Sequence, residues 1–286
     1  MNTRFFAHSL LYFIAHLHHG LPINSVSKIL GGFDMSIESV PYVLSLMLNG
    51  EYVCCAVIIN KYWAATAAHC VRAAKHPCKE ISLRSGSSFL YQGGIIHNVV
   101  DVTVHENYND LTNDYDIAVV KITPSFRYND FTRPVVLAQS DAKDVCTAWG
   151  MVCGWGYYMK YNDFINPILA EKLQCVLLPL IQKELCCKDY KFFFEITSQM
   201  TCYGFQEGAF DSCKGDSGSA LINKDGVLLG ITSWGNGCGE PYSPGVYIDA
   251  ILLRNWIRDK TGRLDTVDPT AATKFCCALG GAEHNG

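Results

Sequence analysis

The chain has 286 residues, of which 49% are hydrophobic and 17% are charged. This composition is typical of a folded globular protein and excludes disorder along most of the chain. The formal net charge of −4 provides no basic field for a phosphate backbone, so we expect no nucleic-acid partner.

The amino-terminal segment predicts a signal peptide over residues 1–20. Arg4 precedes an apolar stretch from Phe5 to Leu17, which is shorter than the roughly 18 residues needed to span a membrane. No other segment reaches that length, so we expect no membrane association.

Short apolar segments separated by turn residues extend between Pro41 and Ile257. Their Val, Ile, Tyr and Trp content, bounded by Asn, Gly, Asp and Pro, indicates an all-β protein built as an antiparallel sandwich or barrel. One helix is predicted at Ala250–Lys260, with Gly262 as its stop. The strands predicted from this pattern include Tyr42–Leu48, Val53–Ile59, Ile95–Val104, Ile117–Ile122 and Val227–Ser233.

The 14 cysteines are too many for an ordinary cytosolic enzyme. No two of them have the Cys-x-x-Cys spacing of a zinc ribbon or a redox motif. They therefore predict a disulfide framework in an oxidising compartment, and hence a secreted, extracellular protein. A metal-binding extracellular protein would need ligand spacings that are absent, so we expect no metal and no cofactor.

Three segments place a reactive residue type in an unusual local sequence. They are Thr-Ala-Ala-His69-Cys, Asp116-Ile-Ala-Val-Val and Asp-Ser-Cys-Lys-Gly-Asp-Ser217-Gly-Ser. Acyl transfer from a peptide needs a nucleophile, a base that takes its proton and a carboxylate that orients the base. The chain supplies these as Ser217, His69 and Asp116. The order His, Asp, Ser differs from the Ser, Asp, His order of α/β-hydrolases.

With these motifs the chain resembles the trypsin-like serine proteases of the chymotrypsin fold from about residue 29 to residue 262. Further matching motifs are Pro41-Tyr-Val-Leu-Ser-Leu46, Gly154-Trp-Gly156, Ser233-Trp-Gly-Asn-Gly-Cys238 and Pro244-Gly-Val-Tyr247. The resemblance implies two six-stranded antiparallel β-barrels with a C-terminal helix. It also implies a monomeric serine endopeptidase that acts on proteins or peptides and is bound by protein protease inhibitors.

The resemblance assigns an oxyanion hole and a primary specificity pocket. The N–H groups of Gly215 and Ser217 are expected to form the oxyanion hole. Asp211, six residues before Ser217, matches the carboxylate at the pocket floor of trypsin-like enzymes, so cleavage after Arg or Lys is expected. The remaining substrate-binding positions of the pocket are Ser233, Trp234, Gly235 and Gly245.

Zymogen activation is implied by the junction Lys28-Ile29-Leu-Gly-Gly. Cleavage after Lys28 would free the Ile29 amine, which in the family pairs with the carboxylate just before the nucleophile, here Asp216. The expected organisation is thus a propeptide at residues 21–28, a protease domain at 29–262 and a C-terminal tail at 263–286.

Three disulfides follow from the resemblance: Cys54–Cys70, Cys186–Cys202 and Cys213–Cys238. Cys175 matches a family cysteine whose partner position holds Met35, and either Cys146 or Cys153 lacks a partner because Asn223 stands at its usual place. The pairing of eight cysteines stays open: Cys55, Cys78, Cys146, Cys153, Cys175, Cys187, Cys276 and Cys277.

Several positions depart from the family pattern. Ser219-Ala220 replaces Gly-Pro after the nucleophile, and Cys55 replaces a glycine packed behind the active site. A side chain at either glycine position can strain a tight backbone, so we expect reduced tolerance rather than inactivity. The alternative function is a catalytically impaired homologue that serves as a binding or regulatory module. Such proteins usually lose a triad residue or the activation junction, and this chain retains both.

Overall fold

The computed structural model describes residues 32–139, 145, 147–160, 163–192 and 194–262. The predicted signal peptide, the propeptide, the activation junction Lys28-Ile29 and the tail lie outside the described residues. Cys146, Cys276 and Cys277 lie outside them as well.

The first half of the described chain forms a closed antiparallel barrel in the order β2-β3-β4-β7-β6-β5. Apolar residues fill its interior, and residues 43–47 of β2 are all buried, so both faces of this strand are covered. Asn49 and Gly50 join β2 to β3 with φ values of 53° and 88°, a two-residue turn that suits the right-handed twist of a hairpin. The strands of this half are β1 (Phe33–Asp34), β2 (Val43–Leu48), β3 (Glu51–Ile58), β4 (Trp63–Thr66), β5 (Ile81–Ser85), β6 (Ile95–Val104) and β7 (Ala118–Thr123).

The second half forms another closed six-stranded barrel, in which β9 pairs with both β12 and β14. The circuit runs β9-β12-β13-β16-β15-β14 and returns to β9. Outside the circuit, β1 pairs with β12, β8 runs parallel to β15, and β10 and β11 form a hairpin. The strands are β8 (Val136–Leu137), β9 (Trp149–Gly154), β10 (Tyr157–Lys160), β11 (Asp163–Leu169), β12 (Gln174–Ile181), β13 (Met200–Tyr203), β14 (Ala220–Ile222), β15 (Val227–Trp234) and β16 (Gly245–Asp249).

Four short α-helices occur in the described part of the chain: α1 (Ala68–Arg72), α2 (Pro77–Glu80), α3 (Lys183–Tyr190) and α4 (Arg254–Thr261). The predicted C-terminal helix begins later than the sequence pattern indicated. The Asp249 carboxylate accepts bonds from the N–H groups of Ile251 and Leu252 at 2.9 and 3.0 Å, which holds residues 249–252 in a turn instead. None of the helices that the structure describes is long and apolar enough to cross a membrane.

The all-β class with two six-stranded barrels and a C-terminal helix is therefore confirmed. The two barrels meet along segments that carry the predicted site residues. Cys55 of β3 donates its N–H to the carbonyl of Ser217 at 2.8 Å. Ser233 of β15 donates its hydroxyl to Asp116, just before β7, at 2.5 Å. The predicted nucleophile, base and carboxylate thus lie at the junction between the barrels.

Candidate active site

His69 and Asp116 form the polar centre of this junction. His69 lies in α1 and Asp116 immediately precedes Ile117 and β7, so both come from the first barrel. The His69 Nδ1 atom is 2.7 Å from Asp116 Oδ2, and the His69 backbone N–H donates to Oδ1 at 2.9 Å. A carboxylate only accepts, so Nδ1 carries the ring proton and the Nε2 atom of a neutral imidazole is left with its lone pair.

Asp116 is fully buried, with 0% of its surface exposed. Burial of a carboxylate is unfavourable unless donors replace the lost water. Three donors do so here: the imidazole and the backbone N–H of His69, and the hydroxyl of Ser233. The side chain of Ser233, expected among the substrate-binding positions, is therefore directed to Asp116. By contrast, the His69 side chain is 34% exposed and remains accessible from the cleft.

Ser217 lies in the turn that leads into β14, on the second barrel. The next residue, Gly218, has a φ of 82°, and a Cβ there would come within 2.3 Å of Thr66 Oγ1. Only glycine permits this close approach to the segment that carries His69. No hydrogen bond from Ser217 Oγ to His69 Nε2 is present among those of the described residues. Such bonds commonly tighten only when substrate binds.

The N–H groups of Gly215 and Ser217 donate to no other group in the described part of the chain. The carbonyl oxygens on either side of Gly215 are both bonded. Tyr157 N–H donates to the Lys214 carbonyl at 2.7 Å, and Tyr52 Oη donates to the Gly215 carbonyl at 2.7 Å. The Gly215 φ of 95° is one that residues with side chains rarely adopt. The turn thus presents two unengaged donors beside Ser217.

Asp216 points away from the cleft into a fully buried position. Its carboxylate accepts bonds from the N–H groups of Gly156 and Cys213 at 2.8 and 2.9 Å. Burial raises the pKa of Asp216 to about 6, against the lowering effect of these two bonds. No cationic group of the described residues pairs with it, so its charge is only partly compensated.

Asp211 lies 3% exposed beneath the segment 233–239. Its Oδ2 atom accepts from Gly239 N–H at 3.1 Å, whereas Oδ1 has no hydrogen-bond partner in the described structure. Burial raises its pKa to about 7. A Cβ on Gly245 would lie 3.0 Å from Oδ1, and one on Gly235 would meet nothing closer than 3.8 Å. A side chain on Gly245 would therefore crowd the unpaired oxygen of Asp211, and Gly235 adjoins Gly245.

The remaining predicted wall residue, Trp234, is half-buried at the end of β15. Its indole ring packs edge-to-face against Tyr190 and Phe194, with centroid distances of 4.9 and 5.2 Å. These contacts fix the orientation of the indole.

The structure contains the three disulfides expected from the resemblance and one more. The fourth joins Cys153 of β9 to Cys175 of β12, which lie directly opposite each other in the antiparallel ladder with a Cα–Cα distance of 4.1 Å. Cys175, whose expected partner position holds Met35, thus pairs with Cys153 instead. Asn223 accepts backbone bonds from Asp225 and Val227 within the β14–β15 turn.

Neither former glycine position imposes a left-handed backbone. Ser219 and Cys55 are absent from the described residues with positive φ. The Ser219 hydroxyl donates to the Cys153 carbonyl at 3.0 Å, and Cys55 is a buried free thiol within 3.0 Å of Tyr52 Oη. The anticipated backbone strain is thus not found.

Cys54, His69 and Cys70 are the one group of three potential metal ligands in the part of the chain that the structure describes. The sulfur atoms of Cys54 and Cys70 are joined in a disulfide, so no thiolate is available to bind a metal ion there.

Sequence reasoning missed Tyr52, whose hydroxyl reaches the predicted oxyanion turn across the barrel junction. Gly215, which this hydroxyl contacts, is 163 residues away in the chain, and no local pattern marks a tyrosine in β3 for this contact.

Most of the chain is similar to known proteases. A family model described as Trypsin matches residues 29–257. Trypsin 5G1 from Aedes aegypti is 33% identical over 241 residues, which cover 84% of this chain and 87% of that protein. The vitellin-degrading protease of Bombyx mori is 32% identical over 243 residues, covering 85% and 89%. Coagulation factor XI of Bos taurus is 35% identical over 246 residues, or 82% of this chain and 38% of that longer protein. The chain therefore belongs to the trypsin family, and it is a serine-type endopeptidase.

Proposed function

We propose that the chain is a secreted protease, activated from a zymogen by cleavage after Lys28, that hydrolyses peptide bonds after Arg or Lys. Ser217 is its nucleophile, His69 its general base and Asp116 the residue that orients His69. The four disulfides support an oxidising, extracellular compartment. Proteins and peptides are its substrates, and protein protease inhibitors are its expected binding partners.

The observation that carries the proposal is the bond from His69 Nδ1 to the buried carboxylate of Asp116. Because Nδ1 holds the proton, Nε2 is the basic atom. In the reaction, Ser217 Oγ attacks the substrate carbonyl carbon while its proton passes to Nε2. The bound carboxylate of Asp116 then stabilises the imidazolium.

The carbonyl oxygen becomes an oxyanion as the tetrahedral intermediate forms. The N–H groups of Gly215 and Ser217 are positioned to donate to it, since no other group of the described residues uses them. His69 returns the proton to the leaving amine, and the C–N bond breaks to give an ester on Ser217. Water, deprotonated by His69, hydrolyses this ester and regenerates the enzyme.

The specificity assignment is supported by the recess above Asp211. A buried carboxylate with an unpaired oxygen is unfavourable until a cation meets it. The side chains of Arg and Lys carry such a cation at the end of a long chain, which can reach the floor of a deep pocket. Gly245 places no side chain against Oδ1, and Gly235 beside it also lacks one.

The activation assignment is supported by Asp216. Its fully buried carboxylate lacks a cationic partner among the described residues and has a raised pKa. The Ile29 amine freed by cleavage after Lys28 would supply that cation. The ion pair would hold the adjoining turn, and with it the two oxyanion donors.

Reaction with a fluorophosphonate after activation tests the proposal. Covalent labelling is expected at Ser217 alone, because His69 makes this hydroxyl nucleophilic. Ser217→Ala should abolish labelling and His69→Ala should slow it greatly, while Ser219→Ala serves as a neighbouring serine control. Correctly processed protein that remains unlabelled would favour the binding or regulatory homologue.

A further inference from the structure

The buried residues behind the oxyanion turn form a polar cluster that the triad does not use. Tyr52 Oη lies 2.7 Å from the Gly215 carbonyl oxygen and 3.0 Å from Cys55 Sγ. A hydroxyl has one proton to donate, and the Gly215 oxygen can only accept it. The Cys55 thiol, which is 4.0 Å from the Gly215 oxygen, therefore donates to the nearer Tyr52 Oη, giving a chain of two hydrogen bonds that ends on Gly215.

Both groups keep their protons at neutral pH. Burial raises the pKa of Tyr52 well above its ordinary value, with the neighbouring Cys55 and Asp216 adding to the effect. Burial also raises the pKa of the Cys55 thiol to about 12, aided by the charge of Asp216. The cluster is thus a fixed set of neutral donors rather than a reactive or titrating site.

The ring of Tyr52 is held from several sides. It packs edge-to-face against Trp155 at a centroid distance of 6.4 Å. A Cβ on Gly215 would lie 3.4 Å from its Cε1 atom, so the ring adjoins the turn itself. The 3.4 Å contact from the Tyr52 backbone N–H to the Tyr91 hydroxyl does not involve the ring. The hydroxyl of Tyr52 is therefore presented to Gly215 from a rigid strand.

We propose that Tyr52 is a positioning residue for the oxyanion hole, acting through its hydroxyl on the Gly215 carbonyl, and that Cys55 supports it. Gly215 is flanked by two peptide groups. Tyr157 N–H holds the first at the Lys214 carbonyl, whereas the second is held at the Gly215 carbonyl by Tyr52 and at the Asp216 N–H by the Cys213 carbonyl. Glycine rotates freely about φ and ψ. Without the Tyr52 bond, only the Asp216 N–H bond holds the second peptide group, and the turn is less strictly confined to the geometry in which both N–H donors face the oxyanion.

This inference rests on the proposed function. It predicts effects on catalysis that a residue with a purely structural role would not have. An oxyanion donor acts on the transition state, whereas a cation in the pocket contacts Asp211 and not the hole. Loss of positioning should therefore impair turnover and binding of a tetrahedral adduct, but not binding of a simple amidine.

The test uses the activated enzyme with Tyr52→Phe, which removes only the hydroxyl. Tyr91→Phe is the matched control, because it removes a hydroxyl that also contacts Tyr52 but does not reach Gly215. Three quantities are measured for each: kcat/KM on an arginyl peptide amide, the inhibition constant of a peptide arginal, and that of benzamidine. The arginal forms a hemiacetal with Ser217 whose oxygen occupies the hole.

For Tyr52→Phe we expect kcat/KM to fall about tenfold or more, since a buried carbonyl loses its short hydrogen bond and keeps only the Cys55 thiol at 4.0 Å. The fall should appear in kcat more than in KM, the arginal constant should rise by a similar factor, and benzamidine binding should be unchanged. Tyr91→Phe should match the parent enzyme. An unchanged arginal constant in folded Tyr52→Phe overturns the proposal, as does an equal loss of benzamidine binding.

Should Tyr52→Phe fail to fold, Cys55→Ala replaces it, because this change removes the donor to Tyr52 Oη and leaves the ring in place. A smaller rise in the arginal constant is then expected, and an unchanged constant would count against the proposal. A parent enzyme that neither cleaves the arginyl amide nor reacts with a fluorophosphonate refutes the proposed function itself. A fully active parent with an equally active Tyr52→Phe variant refutes only the role of Tyr52.

Discussion

Replacing Asp211 with serine is expected to abolish the preference for Arg and Lys. In the free enzyme this carboxylate is 3% exposed and one of its oxygens has no partner in the described structure. An entering cation compensates the buried charge, and an apolar side chain does not. Leaving one member of a buried ion pair unmatched costs about 3 to 5 kcal/mol, which corresponds to roughly two to four orders of magnitude in kcat/KM.

The assay compares kcat/KM for matched peptide amides that differ only in having Arg, Lys, Phe or Leu before the scissile bond. In the parent enzyme, kcat/KM for the Arg and Lys substrates should exceed that for the Phe and Leu substrates by roughly two to four orders of magnitude. Asp211→Ser should remove most of this difference. Glu240→Gln is the control, because it removes an exposed carboxylate from the adjacent loop. Fluorophosphonate labelling of Ser217 should survive in both variants.

A parent enzyme that prefers Phe or Leu would refute the assignment of Asp211 to the pocket floor, while membership of the trypsin family would stand. Loss of labelling in Asp211→Ser would instead show that the substitution disturbs the whole turn that carries Ser217.

Three further outcomes are expected. Because burial raises the pKa of Asp211 to about 7, benzamidine affinity should weaken as pH falls through that value, and a constant affinity across pH about 5 to 8 would contradict this. The Ile29 amine, with an ordinary pKa of about 7.7 to 8, should have a raised pKa when paired with Asp216. Activity should therefore persist below the raised value and be lost as pH climbs through it, and Asp216→Asn should be inactive at every pH even after removal of the propeptide. The double substitution of Cys153 and Cys175 by alanine, which opens a disulfide with a sequence separation of 22, should lower the free energy of unfolding in denaturant by about 3 kcal/mol.

Most of the fold could be predicted because its signals are local. The segments Ile95–Val104 and Val227–Ser233 were delimited by β-branched residues and flanking turn residues, and the structure has strands at Ile95–Val104 and Val227–Trp234. The predicted start of the last helix, Ala250, is wrong by four residues, because the helix begins at Arg254. Its apolar pattern extends back to Ala250, but the Asp249 side chain competes for the backbone N–H groups that a helix would use.

The cysteine pairing could be predicted only in part. Three bonds follow from the resemblance, but the bond between Cys153 and Cys175 depends on the register of β9 against β12. Sequence spacing does not encode that register. The absence of backbone strain at Ser219 could not be predicted from the sequence either, since it depends on the φ value of Ser219 and on its hydrogen bond to the Cys153 carbonyl.

The site motifs identified His69, Asp116 and Ser217, because each stands in a distinctive local sequence. The role of the Ser233 hydroxyl and that of Tyr52 were not predicted. Both side chains reach their partners across the junction between the barrels, over sequence separations of 117 and 163 residues. Such contacts become visible only when the two barrels are packed together.

The most direct test of the account is hydrolysis of an arginyl peptide amide by protein cleaved after Lys28. Parent protein and Ser217→Ala are produced and activated side by side, and amino-terminal sequencing confirms Ile29 as the first residue of each. Parent protein should turn over the amide, and Ser217→Ala should retain benzamidine binding while losing turnover. Turnover of the amide by Ser217→Ala at the parent rate, or its absence in correctly processed parent protein, would contradict the account.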